Sequence, residues 1–309
     1  MNVNEMPSDR QRLLAGIELG GTKCICVLAD ETGHIFQQET VPTTRPEETL
    51  SALEEILARW WKVHGFRALG IASFGPVDLM PGSPTYGYVT LTSKPHWSNT
   101  DVAQRLSRPY PVPMAFDTDV NGAALAEGRW GAAKGLADYV YVTVGTGVGC
   151  GLIVHGRPTR GLGHCEIGHM RIARAKGDAW GGCCPFHGDC VEGLASGTAI
   201  KARLESEHIS TISADHPVWE LVAHTLAQLS HTLVLATGPK RIIMGGGVIN
   251  GQPHLLPRVA KLLEESINNY IALPDTAELI CAPGLGVKAG PLGPIAMALA
   301  LEEAQGRKG

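Results

Sequence analysis

Gly16-Ile17-Glu18-Leu19-Gly20-Gly21-Thr22-Lys23 is the stretch whose reading decides the fold. An apolar approach from Leu13 leads into it and Cys24 to Leu28 follows it, so both flanks read as buried strands. The Gly-Gly-Thr between them is therefore a hairpin turn, not the opening of a helix. A second such turn, Gly145-Thr146-Gly147, lies between the strand-like runs Tyr139 to Val144 and Gly151 to Val154. Glycines let backbone N–H groups face an anion closely, and the threonine adds a hydroxyl donor. Neither turn fits GxxxxGK[ST], and no GxGxxG precedes a helix, so P-loop and dinucleotide readings fail. One Gly-Gly-Thr is ordinarily just a turn. Two, at matching places in two halves, point to a clamp on a nucleotide.

The rest of the chain alternates in the manner of an α/β protein. Asp30 to Gly33 reads as a turn into a further strand, and Pro46 opens a helix with an apolar stripe at Leu50, Leu53, Ile56, Leu57, Trp60 and Trp61. Leu69 to Ala72 is a buried strand. Pro81 to Asn99, rich in glycine, proline and hydroxyls, reads as an irregular functional loop. Asn121 to Trp130 and Val218 to Ala236 read as helices. A strand, Arg241 to Met244, leads into Gly245-Gly246-Gly247, where bare backbone would lie flat against an adenine or ribose. An Ala-rich helix after Pro294 is expected to return to the first lobe. These patterns predict lobes at 13–117 plus 295–309 and at 118–294, with a ligand cleft between them. Met1 to Arg12 reads as a mobile leader.

Composition narrows the function. With 44% hydrophobic and 18% charged residues among 309, the chain has ample core material. A formal charge of -4 offers no general attraction for nucleic acid or anionic membrane. No run is long enough to span a bilayer and no signal peptide is evident, so a cytoplasmic protein is expected. Its eight cysteines would then be reduced. Cys24, Cys26, Cys150 and Cys281 lie in apolar runs and read as small core residues.

His169 and the run Cys184-Pro185-Phe186-His187-Gly188-Asp189-Cys190 supply four soft or borderline ligands. They suit a closed, tetrahedral, structural zinc site at about 169–190, with Cys183 an alternative to Cys184. Such a site would bring the Glu166 and Glu192 carboxylates close together, and carboxylates are good acceptors for sugar hydroxyls. Phosphoryl transfer to an alcohol needs a carboxylate base and Mg²⁺. Phe116-Asp117-Thr118-Asp119-Val120-Asn121 offers two candidate carboxylates, Asp117 and Asp119, either of which could instead cap the helix that follows.

With these motifs the chain resembles the ROK family of sugar kinases, repressors and related proteins, over roughly Leu14 to Leu301. The resemblance implies a two-lobed actin-like ATPase (ribonuclease H-like) fold with a zinc-knuckle insertion. It implies that Gly20, Gly21, Thr22 and Lys23, with Gly145, Thr146 and Gly147, grip the phosphates of ATP, and that Gly245, Gly246 and Gly247 border the adenosine. Asp119 matches the family's base, in its Asp-x-Asn with Asn121. Asn121, Glu166, His169, Glu192 and, less closely matched, Asn99 are implied on the sugar. The resemblance favours Cys184 as ligand beside His169, His187 and Cys190, and suggests a homodimer. Ser73-Phe74-Gly75-Pro76-Val77-Asp78, Tyr86-Gly87-Tyr88 and the His187 knuckle look like the fructokinase branch, which implies fructose phosphorylated on its C6 hydroxyl. Mannose or glucose is the alternative, since residue chemistry alone does not separate these hexoses. A repressor of this family carries a DNA-binding segment ahead of the kinase-like part, for which the dozen residues before the first strand leave no room. A non-catalytic sugar sensor would not need both turns and Asp119.

Overall fold

The computed structural model describes residues 12–205 and 208–306, so the leader residues 1–11 and the last three residues lie outside it. The chain divides into two compact units, one of residues up to 134 with 160–164 and from 287 onward, the other of 135–159 and 165–286.

In the first unit β1 (Leu14–Leu19), β2 (Lys23–Ala29) and β3 (Ile35–Pro42) form an antiparallel run. β4 (Ala68–Ser73) joins β1 in parallel, and β7 (Met114–Thr118) joins β4 in parallel, giving the order β3-β2-β1-β4-β7. A two-residue pair, β5 (Tyr88–Val89) and β6 (Thr100–Asp101), stands apart in the irregular loop region. Helix α1 (Pro46–Val63) begins on proline at its first turn and buries Leu50, Leu53, Ile56, Leu57 and Trp60 on one stripe. Each such side chain removed from water contributes roughly 1.5–3 kcal/mol. Arg105 of the short α2 (Ala103–Ser107) ties back to Glu47 and Glu54 of α1.

Helix α3 (Asp119–Trp130) and the last helix (Ala289–Gly306) complete this unit. The two pack against each other, and the last helix also covers β1 and β4. Contact there is backbone to backbone: a Cβ at Gly70 would overlap the carbonyl of Pro294. The sequence places the lobe boundaries at 117/118 and 294/295; the structure moves them to 134/135 and 286/287. The reason is packing, because α3 buries its small residues under the last helix, which starts at Ala289 with Pro294 inside it.

The second unit repeats the sheet. β8 (Tyr139–Val144), β9 (Val148–Val154) and β10 (Arg157–Pro158) are antiparallel, while β11 (Ile242–Gly245) and β12 (Ile280–Cys281) add in parallel, in the order β10-β9-β8-β11-β12. Position for position this is the strand plan of the first unit. Its helices are α4 (Val191–Ala195), α5 (Gly197–Leu204), α6 (Val218–Thr237), α7 (Gly247–Gly251), α8 (Leu255–Ile267) and α9 (Thr276–Leu279). Trp219, Leu226, Leu229 and Leu233 of α6 sit in the core with Val140, Val142 and Met244 of the sheet. No helix among the described residues is long and apolar enough to cross a membrane.

Candidate functional site

The first glycine turn closes between Leu19 and Cys24, with Gly20 N–H donating to the carbonyl of Lys23 at 3.1 Å. Thr43 supports it twice: its hydroxyl donates to Gly20 O at 2.7 Å and its N–H to Thr22 O at 3.0 Å. Gly21, Thr22 and Lys23 are exposed.

At the ends of the parallel strands of this sheet lie the carboxylates. Glu18, Ala72 and Asp117 share one row across β1, β4 and β7. Thr118 caps α3, its hydroxyl accepting from Asn121 N–H at 3.2 Å. Asp117 Oδ1 accepts from Thr118 N–H at 2.7 Å and from Asn121 Nδ2 at 2.8 Å, and its Oδ2 pairs with the guanidinium of Arg160. Asp117 is thus committed to structure. Asp119 has no cationic partner among the described residues, and its Oδ1 takes the N–H of Val120 at 2.9 Å. Burial pushes its carboxyl up to about 7, and the neighbouring Glu18 adds to the rise. Glu18 is itself raised to about 7 by burial, against the opposing pull of Lys23, and its Oε2 has no hydrogen-bond partner among the described residues. A carboxyl near neutrality is well matched to taking a proton from an alcohol.

In the second unit, Gly145 N–H donates to Gly147 O at 2.9 Å to close the other turn. Gly197 N–H donates to Gly145 O at 2.7 Å, and the Thr198 hydroxyl to Thr146 O at 2.8 Å, so the start of α5 holds this turn. Glu192 approaches from α4: its Oε2 accepts from Val148 N–H at 3.0 Å, and a Cβ on Gly147 would overlap that same oxygen. A side chain at Gly147 would require that carboxylate to shift.

Ligand atoms of His169, Cys184, His187 and Cys190 all lie within 4.8 Å of one another. Cys184 Sγ is 3.6 Å from His169 Nδ1 and 3.7 Å from His187 Nδ1, and Cys190 Sγ is 3.7 Å from His169 Nδ1. Tetrahedral bonds of about 2.3 Å to sulfur and 2.0–2.1 Å to nitrogen would separate S and N by about 3.6 Å. The four residues therefore fit a metal, with Cys184 rather than Cys183 in the set. The knuckle is clamped from outside, since Asp189 pairs with Arg171 and Arg174, and Asp178 with Arg174 and Arg203. His169 presents Nδ1 to the sulfurs while its Nε2 lies 3.9 Å from Glu192 Oε1. Glu166, exposed, precedes the short 3-10 turn (Ile167–His169) that carries this ring.

Other expected residues fall differently. Asn121, expected on a sugar, is 2% exposed and spends its side chain on Asp117, so it braces the base-bearing segment. Asn99 is exposed, with a left-handed φ of 60°. Gly245 is buried under Tyr141 and Pro283, and Gly246 at φ 90° crowds Val144, so both are explained by packing, while Gly247 is open. Sequence reasoning gave no role to Glu18, Arg160 or Thr43. Glu18 carried one available signal, a carboxylate at the end of a buried strand immediately before the glycine turn.

Twin sheets of one strand order, each with a glycine turn in its antiparallel pair, define an actin-like ATPase core of the sugar-kinase class. The chain belongs to the ROK family, whose profile matches residues 14–302. It is 43% identical to a fructokinase of Zymomonas mobilis subsp. mobilis over 301 residues, covering 96% of this chain and 99% of that one. It is 38% identical to a fructokinase of Pediococcus pentosaceus over 288 residues, with 93% and 98% covered. Among solved structures it is similar to a ROK family glucokinase from Streptomyces griseus in complex with glucose and AMPPNP, with a TM-score of 0.74 and 26% identity over 93% of this chain and 98% of that one.

Proposed function

We propose that this chain is a fructokinase that transfers the γ-phosphoryl group of ATP to the C6 hydroxyl of D-fructose. The observation that carries the reaction type is Asp119, at the start of α3 beside the strand ends that bear Glu18 and Asp117, with no cationic partner among the described residues and its carboxyl raised by burial to about 7. The fructokinases at 36–43% identity over most of the chain support the sugar.

Asp119 accepts the proton of the hydroxyl as its oxygen bonds to the γ-phosphorus, and the bond from that phosphorus to the β,γ-bridging oxygen breaks to release ADP. Glu18 raises the basicity of Asp119 through its own charge. The turns at Gly20-Gly21-Thr22-Lys23 and Gly145-Thr146-Gly147 offer amides and hydroxyls to the phosphates. Mg²⁺ bound with ATP supplies charge neutralisation on the β- and γ-phosphates. Glu166, His169 and Glu192 receive the sugar hydroxyls. His169, Cys184, His187 and Cys190 would hold zinc, which would anchor that segment. With Nδ1 toward the sulfurs, the His169 ring places its Nε2 on the side of Glu192, 3.9 Å from Oε1.

A coupled ADP-release assay with Mg-ATP across fructose, mannose, glucose and N-acetylglucosamine, with a no-sugar control, tests the reading. Preference for fructose is expected, with NMR placing phosphate on C6. Asp119→Asn should lower kcat by about 10²–10⁴-fold while fructose binding survives. Turnover of that variant near the wild-type rate would remove Asp119 from the role of base.

A further inference from the structure

We propose that Lys94 is a further catalytic residue, the cation that meets the γ-phosphoryl group at the first glycine turn. The inference deepens the kinase reading and rests on it. Lys94 Nζ donates to the carbonyl of Gly21 at 2.6 Å, so the ammonium is seated at the centre of the turn that offers its amides to phosphate. Gly21 has open space around it, with no atom within 4 Å of a Cβ built there.

The backbone that carries Lys94 is fixed by its neighbours. Trp97, three residues on, is fully buried, donates Nε1–H to Thr44 O at 2.8 Å and meets Phe74 edge-on with ring centroids 5.2 Å apart. The Thr92 hydroxyl donates to Gly75 O at 3.2 Å and accepts from Lys94 N–H at 3.3 Å, and Thr92 N–H donates to Ser98 Oγ at 3.1 Å. A braced loop thus holds a point charge over the turn. The bland alternative, a lysine that merely shapes the turn, meets an obstacle: Thr43 already holds Gly20 O and Thr22 O. The other lysine of the turn, Lys23, acts electrostatically on Glu18. An ammonium carries three donors, of which one carbonyl uses one, and the transferring phosphoryl spreads its charge over three oxygens.

Lys94→Ala and Lys94→Arg are made in the full chain, checked by thermal melting, and measured for ADP and AMPPNP affinity by calorimetry and for fructose turnover. Lys94→Ala should lose about 10²-fold or more in kcat with the fructose KM within about threefold of wild type. It should weaken AMPPNP at least about tenfold more than ADP, because only AMPPNP presents a γ-group, and Lys94→Arg should recover part of both losses. Equal weakening of the two nucleotides would make Lys94 a support for the turn and overturn the proposal, as would unchanged affinities. The binding ratio reads Lys94 even if the wild type turns over no hexose, an outcome that would defeat the fructokinase reading alone.

Discussion

The two glycine turns share a place in the same strand plan, yet their supports are different in kind. The turn at Gly20-Gly21-Thr22 is held by single groups from two loops, the Thr43 hydroxyl and amide and the Lys94 ammonium on Gly21 O. The turn at Gly145-Thr146-Gly147 is held by a chain of elements: Gly197 and Thr198 of α5 grip it directly, and Glu192 of α4 lies against Gly147 and Val148. α4 is capped at its N-terminus by Cys190, one of the four clustered His and Cys residues, whose Sγ accepts from Gly193 N–H. A duplicated sheet therefore does not imply duplicated energetics. The first turn answers to two single loop residues, Thr43 and Lys94, the second to a pair of helices that follow the Cys/His knuckle.

The sharpest way to break this comparison is to deny the knuckle the zinc proposed for it. Chelation, or Cys190→Ser, should lower the melting temperature by about 10 °C, the shift that ~3–4 kcal/mol produces in a unit of this size. Fructose affinity should fall with it, because Glu192 and His169 lose their fixed approach. Hydrogen exchange at residues 145–148 should quicken while that at residues 20–24 stays as before. Matching acceleration at both turns would show that the supports are not separate.

A smaller effect separates Gly147 from its counterparts. Gly147→Ala should displace Glu192 and raise the fructose KM by about tenfold, on the order of 1.4 kcal/mol. Gly145→Ala and Gly21→Ala meet no atom within 4 Å, so they should melt like wild type. Any loss of ATP affinity in those two would then report close approach of the nucleotide, whereas an unchanged fructose KM in Gly147→Ala would sink the role given to Glu192.

The mildest test concerns the carboxyls of the first unit. With both held near 7, kcat/KM should rise across neutrality, and Glu18→Gln should move that rise to lower pH by removing a like charge from Asp119. Stability carries the opposite sign. A carboxyl whose folded pKa is raised contributes fully below its unfolded value and loses that contribution as pH rises through the folded value. Glu18→Gln should therefore gain on wild type between pH 5 and pH 8, by on the order of 1–2 kcal/mol. A stability difference between the two that stays flat across that range would mean Glu18 is not held protonated.

Much of this was legible in the sequence because it depended on local pattern. Strand, glycine turn and strand appear as apolar runs around Gly20-Gly21-Thr22 and Gly145-Thr146-Gly147, and the spacing of His169, Cys184, His187 and Cys190 brings them into one cluster. What escaped depended on tertiary neighbours. Asn121 looks like a ligand group until Asp117 is seen to take its amide, and Lys94 looks like any loop lysine until Gly21 is found beneath it. The lobe boundary was misplaced because α3 owes its allegiance to a helix that starts at Ala289.

That last helix has a consequence for the order in which the protein can be made. β1 and β4 leave the ribosome early, but the surface that covers them, pressed against Gly70 through Pro294, is translated more than two hundred residues later. Residues 165–286, by contrast, join the strands of 135–159 with short delay. The unit that is first in sequence should therefore be the last to close during synthesis, and in the interval its strands stand exposed to whatever else is nascent in the cell.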